Sequence, residues 1–394
     1  MDTCPPVFVY CGEPIFESRM PPTPQRQPWL DATKGAACLA IVAHHLSAYG
    51  PLPDTLQPFA PQLMGWLYDY ARMAVQVFLV IGGYLAAASL APSGRARFGA
   101  APDQIGRRFV RLVVPYAAAL LAAVVAAALA RPWLDDPSVP DSPQLGQLLA
   151  NALMLQDVLG EPALSAGVWY VAIDLQLYAM AVLLLALARR LPGRWEHYAA
   201  VAGRVAVLGL CAVSLLGFNR MPELDAWGIY FFGSYGLGMA TLWAVRSPQP
   251  GRWLLALALL GGLALAVDFR ARLLVALCTA AWLAWLAAPA PRAAPRWTQA
   301  LAAPLQWVGE RGYSVFLVHY PVALVVNAVW VRLWPDQALA HALGLLAAFA
   351  LSLLAGWALY ERVERRAAGA WQALRWQARF VGASLLLAWA RGPF

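Results

Sequence analysis

The sequence predicts an all-α, polytopic membrane protein of about ten transmembrane helices with both termini cytoplasmic. Three observations predict it. Of 394 residues, 61% are hydrophobic and 13% charged, against about 25% charged in an average soluble domain. The apolar residues fall into blocks of about 20, the length that crosses a bilayer. Basic residues gather in alternate connections between those blocks, as cytoplasmic loops require.

In chain order the blocks are Trp29–Tyr49, Ala71–Ala91, Phe109–Ala130, Ala166–Ala188, Tyr198–Gly217, Ala226–Val245, Trp253–Val267, Arg272–Ala288, Gly312–Trp334 and His341–Tyr360. Leu145–Leu159 is too short to span and reads as re-entrant or interfacial. Arginines mark one side: Arg19 and Arg26 in the tail, then Arg95, Arg97, Arg107, Arg108 and Arg111. Arg189, Arg190, Arg194, Arg246, Arg252, Arg292 and Arg296 continue the series, and Arg362, Arg365 and Arg366 follow the last block. The opposite connections carry Asp54, Asp135, Asp136, Asp141, Glu223, Asp225 and Asp336. Arg270 and Arg272, beside Asp268, are the clearest breach of the alternation.

Three regions follow: a cytoplasmic tail over residues 1–28, a membrane domain over 29–366, and a basic amphipathic segment over 367–394, expected to lie on the anionic cytoplasmic surface. The tail lacks a basic stretch followed by an apolar one, so the first membrane helix is expected to serve as the targeting signal. The net charge of +8 sits in the connections, which makes it a topology signal and not the footprint of a nucleic acid. Cys4, Cys11, Cys38, Cys211 and Cys278 show no metal-ligand spacing, and neither a metal site nor a disulfide framework is expected.

Ionisable groups inside a membrane are costly and usually mark function. The first block, "LDATKGAACLAIVAHHLSAYG", holds the chain's single lysine, Lys34, eleven residues before His45. At 100° per residue that interval is three turns plus about 20°, so both share one face about 16 Å apart, while His44 points about 80° away from Lys34. A neutral imidazole there suits a general base toward a hydroxyl. The same pattern suits two structural histidines bonded to neighbouring helices. In "IGRRFVRLVVPY", Arg108 and Arg111 at i, i+3 form a fork fit for phosphate oxygens, although topology alone accounts for arginines here. In "GVWYVAIDLQLYAM", Asp174 lies deep in the fourth span with Gln176 and Tyr178 nearby. A buried carboxylate needs a partner, either the histidine or an arginine. "RGYSVFLVHYPV" puts Tyr313, Ser314 and His319 in the ninth span, with Pro321 implying a kinked, polar-lined cavity. In "LYERVERR", surface ion pairing is the default for Glu361 and Glu364.

Taken in order, from about Trp29 to Arg366, these segments resemble the acyltransferase-3 family of integral-membrane O-acyltransferases. The family's "LDGLRAIA…H" helix is matched by "LDATKGAACLAIVAHH", selecting Lys34 and His45. Its "DVFFVISGYLI" is similar to "VQVFLVIGGYLAA", its "RRxxRLLPPY" to Arg107–Tyr116, and its "WSLSVEEQFYL" to "WYVAIDLQLYAM". Its "SYSLYLWHWPV" is similar to "GYSVFLVHYPV", and its "YRLVERP" to "YERVERR". The chain departs from the pattern at Lys34 for arginine, Gln76 for aspartate, Gly82 for serine, Asp174 for glutamate and Arg365 for proline.

The resemblance implies an O-acetyltransferase of the bacterial inner membrane. Acetyl-CoA would be the donor substrate, with no tightly bound cofactor and with Arg108, Arg111 and Lys34 on its phosphates. His45 would be the general base, with Asp174 and Lys34 completing the catalytic set. His44, Gln176, Tyr178, Tyr313, Ser314 and His319 would line the substrate cavity. The expected acceptor is a glycan hydroxyl, on an exopolysaccharide or its lipid-linked repeat unit. Succinyl transfer to a glucan stays open, as does a transporter or flippase of a lipid-linked sugar, although the chain lacks the repeated halves common in transporters.

Overall fold

The computed structural model describes residues 28–192, 195, 198–288 and 296–390. The tail with Arg19, Arg26, Cys4 and Cys11, and Arg194 and Arg292 later on, lie outside the described residues. Among the described residues there is no strand. The helices are α1 (Pro28–Ala48), α2 (Pro51–Leu56), α3 (Pro61–Asp69), α4 (Val75–Leu90), α5 (Ala101–Ala130), α6 (Leu145–Ala152), α7 (Gln156–Leu159) and α8 (Val168–Arg189). They continue with α9 (Ala199–Leu216), α10 (Gly228–Val245), α11 (Pro250–Val267), α12 (Ala271–Leu286), α13 (Arg296–Leu333), α14 (Ala338–Leu359) and α15 (Ala370–Ala390).

Each of the ten apolar blocks coincides with one long helix. Among the described residues, seven helical segments are long and apolar enough to cross a membrane. The other three blocks fall short for visible reasons. Asp31, Lys34 and two histidines dilute α1, glycines and tyrosines dilute α10, and α12 has only 16 residues. Local signals set the ends. Proline opens α2, α3, α5 and α11 within their first turns, where its missing N–H costs nothing. Gly50 at φ 88° ends the run of α1, and Gly167 at φ 78° opens α8.

Two helix pairs approach backbone to backbone, as small residues permit in membrane proteins. In α1 and α13, a Cβ added to Gly35 would sit 1.9 Å from the Leu305 carbonyl oxygen, and one added to Gly309 1.8 Å from that of Asp31. In α4 and α10, Gly83 and Gly238 face the Tyr235 and Val80 carbonyls at 1.9 Å in the same way. The α10 helix is buried along almost its whole length, so α4, α8, α9, α11 and α12 pack around it as one core. A second core joins α5, α8, α13 and α15. Gly309→Val is expected to force α1 from α13 and destabilise the fold by at least about 3 kcal/mol, the upper range for overpacking. A thermal midpoint in detergent within a degree of wild type would refute that close packing.

The two arginines that broke the charge alternation, and Arg131 just after α5, have structural partners. Arg270 donates to Asn219 Oδ1 at 2.5 Å and to the carbonyls of Leu215 at 2.9 Å and Ala264 at 3.3 Å. It thereby ties together the C-terminal turns of α9 and α11. Arg272 donates to the Asn219 carbonyl at 2.9 Å and lies over the Tyr230 ring. Arg131 binds Pro140 O, Asp141 O and Ser142 Oγ within 3.1 Å.

The C-terminal helix packs one face against the bundle. Its Ala373 and Phe380 are buried in the core built on α5, and Gln377 Nε2 donates to the Ala152 carbonyl at the end of α6 at 2.9 Å. The segment α6–α7 is buried at Leu148 and Gln156 and holds Met154 in the same core as Tyr116 of α5.

Candidate active site

The site lies where α1, α5, α8 and α13 converge. His44 and His45, adjacent in sequence, serve different helices. His44 Nδ1 donates to the Leu67 carbonyl of α3 at 3.1 Å, and its ring lies 6.0 Å from Tyr68. His45 turns the other way, into the interface with α13, and is 8% exposed. Its Nδ1 lies 2.5 Å from His319 Nε2, and the two rings stack at 4.7 Å. His319 is fully buried, and its Nδ1 lies 2.6 Å from the Phe316 carbonyl oxygen.

These three groups assign the protons. A carbonyl oxygen only accepts, so His319 Nδ1 carries hydrogen and donates to Phe316. A neutral His319 then has a bare Nε2, which accepts from His45 Nδ1–H. His45 is left with its lone pair on Nε2, the arrangement a general base needs. Gly167 keeps the ring's edge clear: a Cβ there would meet His45 Cε1 at 3.0 Å and Phe316 Cζ at 2.8 Å.

The second group joins α5 to α8. Arg108 Nη2 donates to Asp174 Oδ2 at 2.5 Å, with the side chains 30% and 10% exposed. The guanidinium lies 5.2 Å from the centroid of the Tyr178 ring. Tyr178 OH accepts from Gln104 Nε2 at 2.6 Å, and Gln104 Oε1 accepts from Arg107 Nη2 at 2.5 Å. Asp174 therefore answers to the arginine and not to the histidine. The predicted Arg108–Arg111 fork is divided, since Arg108 is drawn onto Asp174 while Arg111 stays exposed. Aromatic rings bridge the two groups: Tyr170 packs on Phe316, and Phe316 on His319, each at 5.8 Å.

A third group lies near the start of α1. Lys34 Nζ binds Asp31 Oδ1 at 2.6 Å. Ser314, fully buried on α13, donates to Glu364 Oε2 at 2.5 Å. The charges of Arg111 and Lys34 both act on that carboxylate. Tyr313 OH donates to the Leu112 carbonyl at 2.9 Å.

Glu364 escaped the sequence reading, which gave both glutamates to surface pairing. Only Glu361 behaves so, bonded to Arg365 at 2.6 Å and near Arg311 at 3.8 Å. The backbone between them winds as a π-helix over Tyr360–Glu364, and this wide turn re-aims Glu364 inward. Gln176 Oε1 accepts from Gly228 N at 2.7 Å and its Nε2 donates to the Ala226 carbonyl at 3.2 Å, which fastens the start of α10. Gln76, where the family pattern has aspartate, accepts from Ser234 Oγ at 2.6 Å. Among the described residues no three His, Cys, Asp or Glu side chains are grouped to hold a metal ion.

No curated protein and no solved structure matches the chain. A family model described as an acyltransferase domain, that of acyltransferase-3, matches residues 27–361, a span that holds every residue of the three groups except Glu364. The chain therefore belongs to the acyltransferase-3 family and is a multi-pass membrane acyltransferase.

Proposed function

We propose that the protein moves an acetyl group from cytoplasmic acetyl-CoA to a hydroxyl of a glycan, in a bacterial inner membrane crossed ten times. The observation that carries this reading is the chain Phe316 O···His319···His45, which leaves one imidazole nitrogen bare deep in the bundle. His45 Nε2 takes the acceptor's proton as the hydroxyl oxygen attacks the thioester carbonyl. The ester C–O bond forms, the C–S bond breaks, and the proton passes to the departing sulfur, which leaves as the free thiol of CoA. His319 holds the base in its tautomer and shares the developing charge. Arg111 and Lys34, at the mouth near the start of α1, receive the CoA phosphates as charge-assisted contacts. Arg108 contributes the N–H groups that Asp174 leaves open.

Purified protein in lipid nanodiscs, given acetyl-labelled acetyl-CoA and a panel of free and lipid-linked glycans, is expected to yield hydroxylamine-labile label on the glycan. A preparation that neither binds acetyl-CoA nor transfers label to any member of the panel would sink the reading.

A further inference from the structure

A cavity of about 570 Å³ opens between the segment after α5 and the segment before α8, bounded by Tyr49 and Tyr320. Its volume is that of a small-molecule site. Its walls are built in advance. Arg131 clamps one wall through Pro140 O, Asp141 O and Ser142 Oγ. Asn151 clamps the other, donating to Pro162 O and accepting from Leu164 N, both at 3.1 Å. Gln147 adds a bond to Pro162 O at 3.1 Å.

The cavity backs onto the proposed base by two routes. Tyr49 packs against the His45 ring at 5.6 Å and against Tyr320 at 5.5 Å, and Tyr320 directly follows His319. Ser165 and Ala166 line the cavity and lead into Gly167, which stands against His45 Cε1. That carbon lies between Nδ1 and Nε2 of the ring.

The lining also states what fits. It offers hydroxyls, side-chain amides of Gln144 and Gln147, two tyrosine rings, and the carboxylates Asp141 and Glu161. No lysine or arginine is among the described lining residues. Arg131 stands behind one wall with Nε, Nη1 and Nη2 bonded to it. Ser165 is 3% exposed, and its Oγ has no partner. Ser138 Oγ is buried without a partner as well. Orphaned hydroxyls at a polar cavity want a hydrogen-bonding occupant. Carboxylates accept from ligand hydroxyls and repel a phosphate or a second carboxylate.

We infer that this cavity is the acceptor subsite and that it takes an uncharged, polyhydroxylated ligand, a neutral sugar, in preference to a phosphorylated or uronic sugar. The inference rests on the acetyl-transfer reading only for the word acceptor; the binding itself stands apart from it.

The test uses the full chain in nanodiscs and ligand-observed saturation-transfer NMR. The probes are neutral methyl glycosides and disaccharides, set against glucuronate and glucose 1-phosphate. At least one neutral probe is expected to bind, and Glu161→Gln with Ser165→Val to weaken it tenfold or more while the acetyl-CoA Kd stays within twofold. Should that double variant lose its thermal transition, Gln144→Ala at the rim is expected to weaken the same probe at least threefold. The inference is overturned if the anionic probes bind as well as the neutral ones, if the variants bind the neutral probe as wild type does, or if acetyl-CoA binds and no sugar does. Sugar bound here and lost in the variants, with no acetyl transferred to any glycan by wild type, would instead keep the cavity and remove the acetyl-transfer reading.

Discussion

His45→Ala is expected to lower acyl transfer by about 10²–10⁴-fold, the usual worth of a positioned acid–base group. Acetyl-CoA affinity should stay within twofold, because the imidazole acts on the acceptor and not on the CoA phosphates. The variant removes the one nitrogen whose lone pair the hydrogen-bond chain leaves bare. His319→Ala should fall between the variant and wild type, since it removes the group that fixes the tautomer and not the base itself. His319→Gln should recover part of that loss, because an amide oxygen can still accept from His45 Nδ1. His44→Ala should keep at least half of wild-type turnover, because His44 bonds only to the α3 backbone. Turnover with labelled acetyl-CoA checks all four. A His45→Ala protein retaining more than a tenth of wild-type kcat would remove the residue from the chemistry.

Asp174→Ala carries the second large effect. It leaves the Arg108 guanidinium, 30% exposed, unpaired between α5 and α8. Breaking a buried pair from one side costs about 3–5 kcal/mol, whereas replacing both partners by apolar residues of similar volume is close to neutral. The single variant should therefore lose most of its thermal stability in detergent. Arg108→Met combined with Asp174→Leu should regain most of it while donor binding stays impaired. Equal midpoints for Asp174→Ala and wild type would show that the pair stabilises nothing.

Much of this architecture was legible because a bilayer imposes a length. Every apolar block became a helix, although α5 and α13 begin well before the expected Phe109 and Gly312, at Ala101 and Arg296. The shared face of Lys34 and His45 and the turned face of His44 followed from helical geometry alone. What was illegible is mostly contact across sequence. His45 and His319 are 274 residues apart, and no periodicity joins them. Asp174 had two chemically sound partners, and only the packing of α5 on α8 chooses Arg108. Gln176 stands within a turn of Asp174 yet points to α10, because α8 buries more than one face. Glu364 is re-aimed by a π-turn that the default of surface ion pairing did not foresee. The last helix was legible as an amphipathic segment with exposed Trp371 and Trp389, but not the packing of its Phe380 against α5.

The glycine contact between α1 and α13 has a consequence for the histidines. Gly35 precedes His45 by the same ten residues that separate Gly309 from His319. The two helices run parallel from a shared fulcrum, and the imidazoles stand at equal heights above it like the points of a pair of dividers. At about 15 Å of arm, a tilt of roughly 4° at the fulcrum moves a tip by about 1 Å, enough to part a hydrogen bond of 2.5 Å. Anything that pries at the glycine end is thereby read out in the spacing of the two imidazoles.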